Sequence, residues 1–397
     1  MMAELPQAEW TKRDDLAQLV RTLGADNIRW VGGAVRDTLL GHAVEDIDAA
    51  TPLTPDIVID RLKDAGITSV PTGIDHGTIT AVLRGGHVEI TTLRKDISTD
   101  GRRATIAFAS EWRDDAARRD FTINALYAHP ETREISDYFG GQEDLKTRRI
   151  RFIGDARERI REDHLRILRY FRFQARFGAE LDQEAEDACS EMAETLKGLS
   201  RERVAKELLS LLGLADPHAT VARMRERGVL QVILPEAGTH EIDALRKLIA
   251  AELAESVAPD PVRRLSALLP ALPPVAETVA SRLRLSRAQR ERLSCVAARL
   301  PADKDKARAL AFQHGRECAV DRILLAGGTV DQLDGWDIPQ LPLKGGEIVA
   351  KGVGAGPEVA RILHAVQSRW VSESFPDRDR VLAILDEELD AQERRGA

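Results

Sequence analysis

Asp46 and Asp48 stand two residues apart in the run EDIDAAT (45–51). In a strand, residues i and i+2 point to one face, so the two carboxylates would project together while Ile47 and Ala49 turn to the other side. Adjacent carboxylates repel unless something cationic sits between them. Their hard oxygens suit Mg²⁺, which commonly takes one or two carboxylates plus substrate phosphates. A lone D-x-D is otherwise a polar loop or a helix cap. Glu89 in HVEITTL (87–93) adds a third carboxylate, because alternation with Val88 and Ile90 puts it on a polar strand face. Three carboxylates on one sheet face could serve two Mg²⁺ ions in an in-line phosphoryl transfer, with Asp46 and Asp48 as metal ligands.

Three further clusters could handle a nucleotide. Gly32 and Gly33 follow the apolar run IRWV and precede AVRDTLLG. Glycines at a strand-to-helix turn let the backbone approach a ligand, and Arg36 lies in the first turn of the helix. In ARRDFTINALY (117–127), Arg119, Asp120 and Asn124 could meet a sugar or phosphate, or Asp120 could simply cap an apolar helix. In REDHLRILRYFRFQARF (161–177), Asp163, Arg166, Arg169 and Arg172 recur every three residues and would share a helix face. An Asp–Arg pair there is a plain salt bridge or a base reader. Cytosine and adenine both present an exocyclic amino donor beside a ring-nitrogen acceptor, which an Asp acceptor and an Arg donor match. Uracil and guanine present the reverse order.

The elements that must position these residues change character along the 397-residue chain. Residues 1–140 alternate short β-like runs (27–35, 45–51, 77–83, 87–93, 104–109) with two helical segments, an α+β block with a sheet of about five strands. From about residue 150 amphipathic helix is nearly continuous. The net charge of −8 excludes a wholesale polycation. Residues 146–176 nevertheless carry eleven Lys/Arg against four Asp/Glu, either a solvated helix face or a phosphate-attracting strip. Cys189, Cys295 and Cys318 lie far apart with no C-x-x-C pair, which predicts neither a zinc module nor a disulfide scaffold and points to a reducing cytoplasm. MMAELPQAEW has no apolar core of a signal peptide, and no run approaches the length of a membrane helix. The run G-x-G-x-G-P at 352–357 reads as a turn entering a helix at Pro357.

GGAVRD (32–37) followed by DID (46–48) resembles the nucleotidyltransferase superfamily of DNA polymerase beta. RRDFTINAL (118–126), EDHLR (162–166) and SRERVAKEL (200–208), in that order, narrow the resemblance to the class II, bacterial-type CCA-adding tRNA nucleotidyltransferase and poly(A) polymerase family. The resemblance implies a catalytic head (1–145), a helical neck that reads the base (146–212) and a helical body and tail that bind tRNA (213–397). It implies addition of CCA to the tRNA 3′ end from CTP and ATP, with poly(A), CC-only or A-only addition as variants on the same motifs. A non-catalytic RNA-binding protein on the same fold is the reading from a different class. By resemblance, Gly32, Gly33 and Arg36 would hold the triphosphate, Asp46 and Asp48 two Mg²⁺ ions, and Glu89 would help activate the 3′-hydroxyl. Arg119, Asp120 and Asn124 would meet the ribose, Asp163 and Arg166 would read the base, and Arg169 and Arg172 would support that pair or contact phosphates. Ser200 fits as a helix N-cap. LRKDISTDGRRATIAF (93–108) stands where the family has a flexible loop ending in Asp100-Gly101-Arg102-Arg103, with Ala104 where proline is usual.

Overall fold

The computed structural model describes residues 4–74, 77–100, 103–109 and 111–396, with side chains outside 95–107 and 392–396. The Gly101–Arg102 part of the loop motif therefore lies outside the described residues. The chain divides into two compact units, residues 1–235 and 236–397.

The first unit is α+β, as the alternation predicts, but its sheet has seven strands rather than five. These are β1 (Arg29–Val31), β2 (Ile47–Thr51), β3 (Thr68–Gly73), β4 (Thr78–Leu83), β5 (Gly86–Thr92), β8 (Leu126–Ala128) and β9 (Ile135–Asp137). The order is β3-β4-β5-β2-β1-β8-β9, and β6 (Arg94–Asp100) pairs with β7 (Arg103–Phe108) as a separate hairpin. Every neighbour in the large sheet is antiparallel except β2 and β5, which run parallel. The period-2 reading holds in β5, where Val88, Ile90 and Thr92 are buried and His87 and Glu89 exposed. The helix Pro55–Asp64 lies against β3 and β4 and buries Val58 and Leu62.

One local expectation fails in RRDFTINALY. The predicted apolar helix is a single 3₁₀ turn, Thr122–Asn124, followed by β8. Leu126, Tyr127 and Ala128 find ladder partners on β1 and β9, and tertiary pairing overrides helix propensity over so short a run.

Helices complete the first unit, among them Ala156–Glu162, Arg166–Phe177 and Arg201–Leu212. Asp155 caps the first of these through the Glu158 N–H at 2.9 Å. Ser200 caps the last, as expected, accepting the Arg203 N–H at 3.4 Å.

The second unit is helical throughout its described residues. Gly356, at φ 144, leads into the helix Pro357–Ser372, the turn that the G-x-G-x-G-P run predicts. That helix and the helix Arg378–Gly396 close an apolar cluster of Ile362, Val366, Trp370, Val381, Ile384 and Leu385. Elsewhere Arg263 bridges two buried acids, Glu252 at 2.7 Å and Asp321 at 2.7 Å, while Arg264 meets Glu252 and Arg292 meets Asp321. Contrary to the expectation for the cysteines, Cys295 and Cys318 form a disulfide and only Cys189 is free, buried in the first unit. A separation of 23 residues hides the pair from motif reading; helix packing brings it together. No helix among the described residues is long and apolar enough to cross a membrane.

Candidate active site

The parallel β2–β5 pairing sets Asp48 directly opposite Glu89. Side chains in register on adjacent strands share a face, so two carboxylates 41 positions apart in sequence meet at one spot. Asp46 lies just before β2 and is exposed, as is Glu89, while Asp48 is half-buried. Burial pushes the Asp48 carboxyl above its ordinary value, and the Glu89 and Asp46 charges push it further, with Arg119 and Arg36 opposing. A group of hard oxygens that repel one another in this way fits a divalent cation. Among the described residues no group of three or more His, Cys, Asp or Glu is arranged to hold a metal by itself.

The Gly32 turn borders these carboxylates. Val31 pairs with Asp48 across β1 and β2, and Gly32 then turns the chain at φ 68, ψ −124, a combination open essentially to glycine alone. A Cβ at Gly32 would sit 3.6 Å from Arg119 Nη1 and 3.9 Å from Asp48 Oδ2. The turn thus lies between the acidic cluster and an arginine from a segment 87 residues away. At Gly33 a Cβ would sit 3.7 Å from Arg36 Nη2.

Arg36 is buried, only 5% exposed. Its Nε and Nη2 donate to Asp37 at 2.8 and 3.0 Å, and Nη1 donates to Asn124 Oδ1 at 2.6 Å. Its guanidinium stacks over Phe177 at 4.5 Å. Burial pulls the Arg36 pKa down, and Asp37 opposes that. Asn124 in turn donates to Asp120 Oδ1 at 2.9 Å, and Asp120 Oδ2 accepts Arg169 Nε at 2.8 Å and Nη2 at 2.5 Å. Burial alone would raise the Asp120 carboxyl. Arg169, Asn124 and Arg166 instead hold it down at about 2. Arg172 meets Glu207 at 2.6 Å, on the helix that Ser200 caps, and Arg169 lies 3.8 Å from the same acid.

Asp163 and Arg166 are close in sequence but are not ion-paired with each other. Asp163 Oδ2 accepts Arg203 Nη2 at 2.7 Å. Arg166 donates to Glu162 at 2.5 Å and to the backbone carbonyls of Arg159 and Arg118, both at 2.9 Å. The helix starts only at Arg166, so Asp163 precedes it, and the expected shared face holds for Arg166, Arg169 and Arg172 alone.

The basic stretch is largely neutralised internally. Eight of the ten arginines in 146–176 have carboxylate partners: Asp182, Asp144, Glu191, Glu162, Asp120, Glu207 and Asp37 between them. The stretch is therefore a scaffold of ion pairs more than a strip awaiting phosphate.

Sequence reasoning passed over Asp37, Asp115, Tyr127, Arg203 and Glu207. Asp115 was detectable, since it precedes Arg118 and Arg119 at the i,i+3 and i,i+4 spacings of helical ion pairs. Arg203 and Glu207 lie on the motif SRERVAKEL but reach their partners only through helix packing.

Comparison with known proteins adds to this geometry. Residues 28–151 match the family described as "Poly A polymerase head domain", and residues 178–239 match "Probable RNA and SrmB- binding site of polymerase A". The chain is 35% identical over 379 residues to a Danio rerio protein named "CCA tRNA nucleotidyltransferase 1, mitochondrial", covering 90% of this chain and 86% of that one. The Homo sapiens protein of the same name is 32% identical, with 97% and 93% covered. A crystal structure of the Bacillus stearothermophilus CCA-adding enzyme in complex with CTP superposes with a TM-score of 0.79 at 26% identity, covering 96% of this chain and 98% of that one.

Proposed function

The chain belongs to the family of CCA tRNA nucleotidyltransferases, and on that premise we propose how its own residues add C, C and A to the 3′ end of tRNA from CTP and ATP. The observation that carries the reading is the pairing of Asp48 with Glu89 beside the Gly32 turn.

On this proposal residues 1–145 are the catalytic head, 146–212 the neck that reads the base, and 213–397 the body and tail that bind tRNA. Gly32, Gly33 and Arg36 line the triphosphate, Gly32 and Gly33 through close backbone approach and Arg36 through its fixed positive charge. Asp46 and Asp48 would hold two Mg²⁺ ions, which when bound supply Lewis-acid charge at the transferring phosphoryl group. The Glu89 carboxylate takes the proton of the tRNA 3′-hydroxyl as that oxygen attacks the α-phosphorus, and pyrophosphate leaves. Arg119 meets the ribose; Asp120 and Asn124 serve the same end by linking Arg169 to Arg36.

Asp163 and Arg166 read the base. Each is anchored by its own counter-charge, Arg203 for the acid and Glu162 for the arginine, so neither neutralises the other. On this proposal Asp163 supplies the acceptor and Arg166 the donor, the arrangement that cytosine and adenine match and that uracil and guanine do not. Arg169 and Arg172 support the pair from Asp120 and Glu207.

The test is extension of a tRNA transcript lacking its last three nucleotides, resolved to single nucleotides, with Mg²⁺ and each nucleoside triphosphate. The expected result is two additions with CTP alone and three with CTP plus ATP. A long ladder with ATP alone indicates a poly(A) polymerase. A stop after CC with both nucleotides present indicates half of a two-enzyme system, and no extension favours an RNA-binding protein.

A further inference from the structure

Arg119 is held from one side only. Its Nε donates to the Tyr127 hydroxyl at 3.0 Å and its Nη2 to Asp115 Oδ2 at 3.1 Å. Nη1 lies beside the Gly32 turn, where a Cβ would sit 3.6 Å from it and 3.9 Å from Asp48 Oδ2, and it makes no hydrogen bond to the described residues. A guanidinium is planar and its donors are fixed relative to one another. Fixing Nε and Nη2 therefore fixes where Nη1 aims.

The holders are themselves rigid. Tyr127 is fully buried and Asp115 is 1% exposed. The Tyr127 hydroxyl donates to Asp115 Oδ2 at 2.7 Å, which closes a triangle with Arg119. The Tyr127 ring is boxed by Trp112 and Tyr138, at 5.9 and 6.2 Å between centroids. Its backbone pairs with Val31, the residue before Gly32. One strand pair thus sets both the turn and the clamp. The other Asp115 oxygen accepts Arg118 Nε at 2.9 Å and the Arg94 backbone N–H at 3.3 Å, at the base of the β6–β7 hairpin.

We infer that Tyr127 and Asp115 are positioning residues for Arg119, aiming its free Nη1 edge at the nucleotide across the Gly32 turn. The inference rests on the proposed contact between Arg119 and the ribose. It assigns the accuracy of that contact to a buried hydroxyl and carboxylate that touch no substrate.

Tyr127→Phe removes the hydroxyl and keeps the ring packing, so it separates aim from fold. The readout is ribose selection, the ratio of kcat/KM for CTP to that for 2′-deoxy-CTP on a tRNA lacking CCA, with thermal midpoints as a check on folding. The expected result is a ratio lowered about tenfold in Tyr127→Phe, the scale of one hydrogen bond to a charged group. The same ratio should fall in Arg119→Ala, with no further loss in the double variant. Loss in Arg119→Ala with an unchanged ratio in Tyr127→Phe overturns the inference and leaves the ribose contact standing. Additive losses in the double variant also overturn it, because Tyr127 would then act independently of Arg119. An unchanged ratio in Arg119→Ala overturns the ribose contact itself and the inference with it. Should Tyr127→Phe fail to fold, Asp115→Asn is judged by the same ratio and the same double variant.

Discussion

Replacing Asp120 by Asn removes one charge from the middle of the chain of contacts that joins Arg169 to Arg36. The carboxyl is 8% exposed and sits at about 2 instead of its ordinary 3.8. A difference of nearly two pH units corresponds to about 2 kcal/mol of native-state stabilisation at neutral pH. Removing one partner of a fully buried ion pair costs about 3–5 kcal/mol, because the other charge is stranded. Arg169 is not stranded here: it is 32% exposed and keeps Glu207 at 3.8 Å. The loss for Asp120→Asn should therefore fall near the lower figure, about 2–3 kcal/mol. The sign in pH follows from a depressed carboxyl. Its contribution is complete above the unfolded value of 3.8 and disappears as pH falls through about 2. The gap between wild type and variant should be full at pH 7 and about half as large at pH 3. Urea unfolding followed by pulsed hydrogen exchange in peptides spanning 116–128 isolates this region from the second unit. A gap under about 0.5 kcal/mol at pH 7, or one unchanged at pH 3, refutes the reasoning.

Asp48→Asn should lower turnover by more than about a hundredfold, beyond what loss of an outer-shell group costs, yet raise the thermal midpoint in chelator, since it relieves a buried charge facing Glu89 and Asp46. Steady-state extension rates and calorimetry check the two halves separately. Gly32→Ala meets no close contact, but its backbone at φ 68, ψ −124 makes alanine cost about 1–3 kcal/mol, read as a lower urea midpoint for the first unit. Reducing the Cys295–Cys318 disulfide reopens a loop of 23 residues and should destabilise the second unit by about 3 kcal/mol. Cys295→Ser should lower the midpoint similarly and remove its sensitivity to reductant.

What could be read from the chain alone was whatever repeats over a short span. Strand alternation placed Glu89 on the polar side of β5, helical periodicity marked the long segments after residue 150, and the order of short motifs carried the family. These signals are local because a helix repeats in 3.6 residues and a strand in 2. Tertiary structure decided which local pieces meet. Parallel pairing of β2 with β5 joined Asp48 to Glu89, and strand competition turned the expected helix after Asp120 into β8. Packing gave Asp163 to Arg203 instead of Arg166, and Arg172 to Glu207. It also closed Cys295 on Cys318. An arginine carries the same charge wherever it stands, so spacing can nominate it for a phosphate or a base. Only the fold determines which carboxylate reaches it first.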